Sequence, residues 1–260
     1  MSDSDSKTLI RSNILGVGIN AISISDLVES THRWIENKTC TYVCVVPAHS
    51  IMACWQDPGL RLIFNQSGLS TPDGMSVVWI LKLMGHKEVG RVYGPDIMLA
   101  LCEYGLEKKY SHFLFGGEPG VADALASQLA DKFDDLQITG THSPPFRKLT
   151  NEEDQAEIDK INSANPEIVW VGLSSPKQER WMAEHLGKID APVMIGVGAA
   201  FDFLSGSKPQ APRWMQRFGL EWLFRFLTEP RRLWPRYRKY PLFVWLVLLQ
   251  MLGIRKYLGE

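Results

Sequence analysis

Asp73 stands in Ser70-Thr71-Pro72-Asp73-Gly74-Met75, between a polar run and the apolar segment Val77-Val78-Trp79-Ile80-Leu81. Pro72 disfavours helical geometry at Thr71, and Gly74 accepts backbone angles that other residues resist, so the carboxylate rides a tight turn just before a helix. There it either caps the helix, the commoner use of Asp, or takes a proton from a substrate hydroxyl. A second group lies in Val171-Gly172-Leu173-Ser174-Ser175-Pro176-Lys177-Gln178-Glu179, at the carboxyl end of a strand, the edge where open sheets bind ligands. Its serines, Lys177, Gln178 and Glu179 put donors and acceptors around one helix start, enough to orient a sugar or a nucleotide; a solvated helix start is the plainer account. Gly116-Gly117-Glu118-Pro119-Gly120 also follows a strand and opens a helix, so its amides can hold a phosphate or a ribose. It lacks the full GxGxxG spacing and a Walker lysine, and tight packing alone accounts for such a turn equally well.

Cationic chemistry is concentrated late in the chain. Arg213, Arg217, Arg225, Arg231, Arg232, Arg236 and Arg238 form a dense supply of planar guanidinium groups, each able to donate two parallel hydrogen bonds to phosphate oxygens. A solvated basic face absorbs about half of such residues, so two or three are expected to touch a diphosphate. His49 follows a strand's exit, where a lone histidine is ordinarily a polar cap or a satisfied buried side chain. Asp202, in Gly196-Val197-Gly198-Ala199-Ala200-Phe201-Asp202, is a secondary site candidate beside a small-residue segment suited to close backbone packing. The one Asp-x-Asp triplet, Asp3-Ser4-Asp5, lies in the polar start, and no metal or other cofactor is expected. Cys40, Cys44, Cys54 and Cys102 show neither CxxC spacing nor a nearby histidine pair and read as thiols of a reducing compartment.

The elements that must position these residues alternate. A strand from Asn13 to Ala21, a helix from Ser25-Asp26 to Glu36 and a strand over Thr41 to Val46 precede two short helices that lead to the Asp73 turn. After helices over Gly74 to Leu83 and Pro95 to Tyr104, strands at His112–Phe115, Leu136–Thr139, Glu167–Gly172 and Val193–Val197 alternate with helices at Val121–Phe133, Glu152–Ile161 and Lys177–His185. Short apolar strands alternating with helices predict an α/β fold: a Rossmann-like, mostly parallel sheet covered by helices on both faces. A helix from Trp214 through Leu227, interrupted at Pro230 and resumed to Tyr237, is expected to form a helical C-terminal appendage.

With 45% hydrophobic and 22% charged residues, 260 residues are enough to bury one full core. The net charge of −1 hides a division: residues 1 to 204 hold 17 Lys and Arg against 26 Asp and Glu, while residues 205 to 260 hold 11 against 3. A core over 1–205 and a basic, apolar appendage over 206–260 follow, the appendage facing an anionic partner such as phosphate, nucleic acid or a membrane. The polar stretch Met1 to Lys7 lacks the features of a secretion signal, which predicts a cytoplasmic protein. Pro241 to Leu252 is almost wholly apolar yet shorter than the about 20 residues a bilayer span needs. Flanked by Arg236, Arg238, Lys239, Arg255 and Lys256, with Trp234, Tyr237 and Trp245 as anchors, it reads as a helix in the membrane surface; packing against the core is the competing account.

TPDGMSVVW, Gly94-Pro95-Asp96, FLFGGEPG, VGLSSPKQERW, GVGAAFDFLSG and APRWMQRFGLEWLFRFLTEPRR, in that order, resemble the WecG/TagA/CpsF family of bacterial glycosyltransferases over roughly residues 13 to 240. The resemblance implies an inverting transferase that moves a sugar from a UDP-sugar to a polyprenyl-diphosphate-linked saccharide at the inner membrane face, in cell-surface polysaccharide synthesis. It implies Asp73 as general base and Gln178 and Glu179 as part of a PKQE motif; His49 stands with Asp73 as the second catalytic candidate, its distance from Asp73 not given by the spacing. Arg225, Arg231 and Arg232 match its C-terminal arginines. The substrate-binding set is Gly116, Gly117, Gly172, Pro176, Lys177, Gln178, Glu179, Asp202, Arg225, Arg231 and Arg232. Where many members carry Thr and Asn, this chain reads Val45-Val46-Pro47-Ala48-His49, so N-acetylmannosamine specificity does not transfer directly and His49 is expected to supply a polar contact. Nucleic acid drops out as a partner on this reading, and the sequence leaves a homo-oligomer open. Two alternatives remain: a Rossmann-like nucleotide-sugar oxidoreductase or epimerase, and a non-catalytic membrane-associated scaffold. The first needs an acidic residue about 20 positions beyond the glycine turn; the residues there are Thr139-Gly140-Thr141-His142.

Overall fold

The computed structural model describes residues 9–258; the polar stretch before them, with its Asp3-Ser4-Asp5, lies outside that range. The chain opens with a hairpin of β1 (Arg11–Ile14) and β2 (Val17–Asn20), where the sequence suggested one strand. Leu15 and Gly16 both adopt positive φ at its turn, the geometry that two-residue hairpin loops require. Next come α1 (Ile24–Glu36), β3 (Thr41–Val46), α2 (Ala48–Gln56), α3 (Pro58–Gln66), β4 (Leu69–Pro72), α4 (Met75–Leu83) and α5 (Gly94–Lys108). The alternation continues through β5 (Ser111–Gly116), α6 (Val121–Lys132), β6 (Gln137–His142), α7 (Asn151–Ser163), β7 (Ile168–Gly172), α8 (Lys177–His185), β8 (Val193–Gly196) and α9 (Ala200–Leu204). The last four helices are α10 (Arg213–Arg217), α11 (Glu221–Thr228), α12 (Pro230–Tyr237) and α13 (Tyr240–Met251).

The six strands β4-β3-β8-β7-β5-β6 form one sheet in that order, every pair parallel. Alternation along each strand feeds two cores. Tyr42, Cys44 and Val46 join the layer built from α2, α3, α8 and the hairpin, while Val43 and Val45 join the layer with α1, α5 and α6. Such strands are apolar on both faces because both are covered. β4 was missed in the sequence because it is short and polar and lies at the sheet edge, where Pro72 loses no ladder bond. The hairpin completes that edge: the Asn20 Oδ1 accepts from the Ser70 amide at 2.8 Å.

The helix expected from Trp214 through Leu227 is two helices. Gly219, at φ +71°, turns the chain between α10 and α11, and a Cβ there would lie 2.6 Å from the Trp79 ring. Pro230 stands at the first turn of α12, a position Pro tolerates. Phe243, Leu246 and Val247 of α13 are buried in the same core layer as α2, and burying them is worth roughly 6 kcal/mol in total. The opposite face leaves Val244, Trp245 and Leu248 about half exposed. Among the described residues, no helix is long and apolar enough to cross a membrane.

Candidate active site

The carboxyl ends of β4, β3, β8 and β7 open into one cleft, roofed by α10 to α13. Asp73 sits at its floor. Its amide donates to the Val46 carbonyl at 3.4 Å, and its own carbonyl accepts from Arg91 Nε at 2.5 Å. These two bonds fix the residue between β3 and the loop that leads to α5. Asp73 does not cap α4: Gly74 holds the cap position, and no side chain bonds the first-turn amides. The carboxylate is therefore free of the structural duty that Asp most often has at a helix start. Its Oδ1 is buried and has no hydrogen-bond partner, and Arg91 Nη2 approaches only to 3.7 Å. Burial, with Arg91 pulling the other way, raises the Asp73 carboxyl to about 6. Such a group is largely ionised at neutral pH yet still binds protons well, the compromise a general base needs.

Around Asp73 lies a cavity of about 190 Å³, lined by His49, Arg91, Trp222, Arg225, Arg236 and Tyr240, with Trp79 and Val244 at its apolar side. His49 follows β3 in the first turn of α2. Burial, aided by Arg236 and Arg225, pushes its imidazole down to about 3, so it is neutral and suited to a polar contact rather than to holding a proton. On the other side of Asp73 the cleft continues past Tyr93, Ser174, Ser175, Gln178, Gly198 and Asp202. It then reaches a lobe lined by Gly117, Gly172, Lys177, Lys208 and Arg232. Asp73, His49 and Arg225 border the first two spaces, and Asp202 and Arg232 the last two, so the three form one channel along the sheet edge.

Most of the expected residues meet here, in different roles. The Gln178 Nε2 donates to Glu179 at 3.1 Å, leaving Gln178 Oε1 buried without a partner beside Gly198. Glu179 is fully buried beneath the cleft, raised by that burial to about 7; it supports Gln178 from behind. Pro176 precedes α8 and shapes its entry. Asp202 is engaged by Lys208 Nζ at 2.6 Å. Gly116, at φ +133°, lets β5 approach β7: a Cβ there would lie 2.6 Å from the backbone of Gly172. That close approach accounts for Gly116 by packing, while Gly117 and Gly172 line the far lobe. Arg225, with its guanidinium 5.4 Å from the Phe203 ring, and Arg232 face the cleft, whereas Arg231 is exposed and lines none of the three spaces. Arg236, which donates to the Ser175 carbonyl at 3.4 Å, stands in the cleft instead.

Sequence reading passed over Arg91 and Glu221. Arg91 immediately precedes the Val92-Tyr93-Gly94-Pro95-Asp96 stretch and Glu221 opens α11, but nothing in their spacing of 130 residues signals that they meet at 2.6 Å. Among the described residues no group of three or more His, Cys, Asp and Glu side chains is placed to hold a metal ion. The cations that border the cleft are Arg91, Arg225, Arg232, Arg236, Lys177 and Lys208.

Comparison with known proteins gives a consistent set of relatives. The profile of the glycosyl transferase WecG/TagA/CpsF family matches residues 12–257. An N-acetylglucosaminyldiphosphoundecaprenol N-acetyl-beta-D-mannosaminyltransferase of Bacillus subtilis (strain 168) is 29% identical over 236 residues, covering 91% of this chain and 89% of the relative. The enzyme of the same name from Bacillus spizizenii (strain W23) is 32% identical over 194 residues, covering 74% and 73%. One from Staphylococcus aureus (strain NCTC 8325) is 24% identical over 247 residues, covering 94% of each chain.

Proposed function

We propose, from the premise that the chain belongs to the WecG/TagA/CpsF family of glycosyl transferases, that it moves a hexose of the N-acetylmannosamine type from a UDP-sugar to a polyprenyl-diphosphate-linked saccharide. The acceptor class is carried over from its relatives, whose names specify N-acetylglucosaminyldiphosphoundecaprenol and transfer of an N-acetyl-β-D-mannosaminyl group. The setting is the synthesis of a cell-surface polysaccharide.

The observation that carries the mechanism is the unpartnered, buried Asp73 oxygen at the meeting point of the channel's two halves. Asp73 takes the proton of the acceptor hydroxyl as that oxygen forms a bond to the anomeric carbon. The bond from that carbon to the UDP β-phosphate oxygen breaks on the opposite face, which inverts the configuration. Charge then grows on the departing diphosphate, where arginines stabilise the transition state more than the ground state. Arg225 and Arg236 border both halves and serve this purpose; Arg232, Lys177 and Asp202 suit the nucleotide end. Neutral His49 donates or accepts a hydrogen bond to a sugar. The acceptor enters from the apolar side, past Trp79, Trp222 and Val244.

Val244, half exposed on α13, lines that entry, and Trp245 and Leu248 of the same helix are also half exposed, which supports peripheral attachment to the inner leaflet of the cytoplasmic membrane. The oxidoreductase alternative weakens further, because Gly116 is explained by its contact with Gly172. The test is UDP release by the purified protein with a panel of UDP-sugars and a short-chain polyprenyl-diphosphate-GlcNAc acceptor, with Asp73→Asn alongside. Acceptor-dependent release that vanishes in the variant supports transfer with Asp73 as base. Undiminished release by Asp73→Asn removes that role, and absence of both release and calorimetric UDP binding removes the transferase reading.

A further inference from the structure

Arg91 is the core's own cation beside the base, yet it does not pair tightly with it. Its Nε is pinned to the Asp73 carbonyl, its guanidinium lies 3.9 Å from the centre of the Tyr93 ring, and its Nη2 donates to Glu221 Oε2 at 2.6 Å. The same nitrogen stays 3.7 Å from Asp73 Oδ1, beyond hydrogen-bond reach. Glu221 is in turn held by its other oxygen, which accepts from the Tyr93 hydroxyl at 3.2 Å, and that hydroxyl accepts from Gln210 Nε2 at 3.2 Å. The Arg91, Glu221 and Asp73 side chains are 16%, 12% and 19% exposed, so water screens these charges poorly. Asp73 belongs to the sheet edge; Glu221 belongs to α11, none of whose residues is buried.

We infer that Glu221 is a positioning residue: it draws Arg91 off the base, so that only a docked α11 leaves the Asp73 carboxylate without a close ion-pair partner. The inference rests on Asp73 being the base. With α11 lifted away, or Glu221 neutralised, the guanidinium is already tethered next to Asp73 and needs to move only about 1 Å to form a charge-assisted bond with it. That ion pair stabilises the ionised carboxylate and makes it a poorer proton acceptor. The device therefore couples closure of the arginine-bearing roof to activation of the base beneath it. The core is held inactive by its own arginine until the roof is in place.

Every charged or titratable group around Asp73 enters the balance. Arg91 and Arg225 favour the ionised form, and Glu221 and Asp96 oppose it. Asp96 is itself paired with Arg213 of α10 at 2.8 Å. His49 from α2 is neutral, Arg236 and Tyr237 come from α12, and burial holds the Tyr237, Tyr240 and Tyr93 hydroxyls protonated. Glu221 is the anion of this set that bonds directly to the cation nearest the base.

The test compares wild type, Glu221→Gln, Glu221→Asp and the double variant Arg91→Gln/Glu221→Gln in the full chain. Two readouts are taken: the pH dependence of kcat/KM, and the titration of Asp73 followed by carboxylate ¹³C NMR, which needs no activity. Wild type should titrate near 6. Glu221→Gln should titrate at least about one pH unit lower and lose about tenfold in kcat at pH 8. Glu221→Asp should restore much of both, and the double variant should bring the titration back to the wild-type value or above it. If Glu221 only bolts α11 in place, kcat falls in Glu221→Gln while the Asp73 titration stays put, and the inference is overturned. A double variant that titrates no higher than Glu221→Gln overturns it as well. Failure of the base reading looks different: kcat/KM then shows no acid limb matching the Asp73 titration in the wild type, whatever Glu221 does.

Discussion

The sheet edge that carries Asp73 and the roof that carries Arg225, Arg232 and Arg236 face each other across one cleft but are held by opposite means. Around Asp73 the strands are buried on both faces, and the backbone itself is tied to Val46 and Arg91. The roof between Gly206 and Tyr237 has few fully buried residues: Ala211 before α10, Gln216 in α10 and Leu233 in α12, while Leu223, Phe224 and Phe226 of α11 are only partly buried. It is latched instead by charge, through Glu221 to Arg91, Arg213 to Asp96 and Lys208 to Asp202. Regions with few buried contacts open at lower free energy than the core. Proton transfer demands a rigidly placed acceptor, while stabilising a diphosphate that must arrive and leave demands cations that can lift away. On the proposed mechanism, the division of labour between Asp73 and the roof arginines follows that division of rigidity.

Four outcomes would break or sharpen this contrast. The largest effect is expected at the rigid side: Asp73→Asn should lower kcat about 10³-fold with UDP binding retained, measured by UDP release and calorimetry. On the roof, Arg225→Ala should cost about 10²-fold in kcat, whereas Arg231→Ala, which lines no part of the cleft, should stay within about twofold in the same assay. Equal losses at the two arginines would mean that the roof acts as a diffuse basic surface rather than through placed side chains. The third outcome concerns stability. Native Asp73, held near 6, binds its proton more tightly than the unfolded chain does. Its contribution is therefore full below the unfolded carboxylate's value, about 4, and is lost as pH rises through about 6. Asp73→Asn escapes that loss and should be about 2 kcal/mol more stable at pH 8 but not at pH 3.5, as read from urea unfolding. The smallest effect belongs to α13, where Trp245→Glu should weaken co-sedimentation with anionic vesicles about tenfold without changing the circular dichroism. Unchanged sedimentation would turn the exposed face of that helix into an ordinary surface.

Much of the sheet was readable because each strand is a short apolar run bounded by turn residues. Thr41–Val46 and Lys177–His185 have the bounds their composition suggests. β4 was not legible, since its stability comes from β3 and from an Asn20 side chain 50 residues away rather than from its own sequence. The break at Gly219 hinged on the Trp79 ring, a tertiary neighbour that helical periodicity does not reveal. For the site, residue types together with the family resemblance pointed to Asp73, Gln178, Asp202, Arg225 and Arg232, all of which line the cleft. Choosing between a helix cap and an unpartnered carboxylate at Asp73, or between Arg231 and Arg236 in the cleft, required the three-dimensional arrangement.

One side chain of α13 ties that helix to the β1–β2 hairpin. The Gln250 amide accepts from the Leu15 amide at 2.9 Å and donates to the Asn13 carbonyl at 2.8 Å, gripping the hairpin turn from both sides. In chain order the hairpin precedes every strand of the sheet, and α13 follows them all. Because this contact spans more than 230 residues, it forms late by its nature. A nascent chain can therefore hold a folded sheet and its Asp73 turn while the arginine roof and its anchor are still unmade.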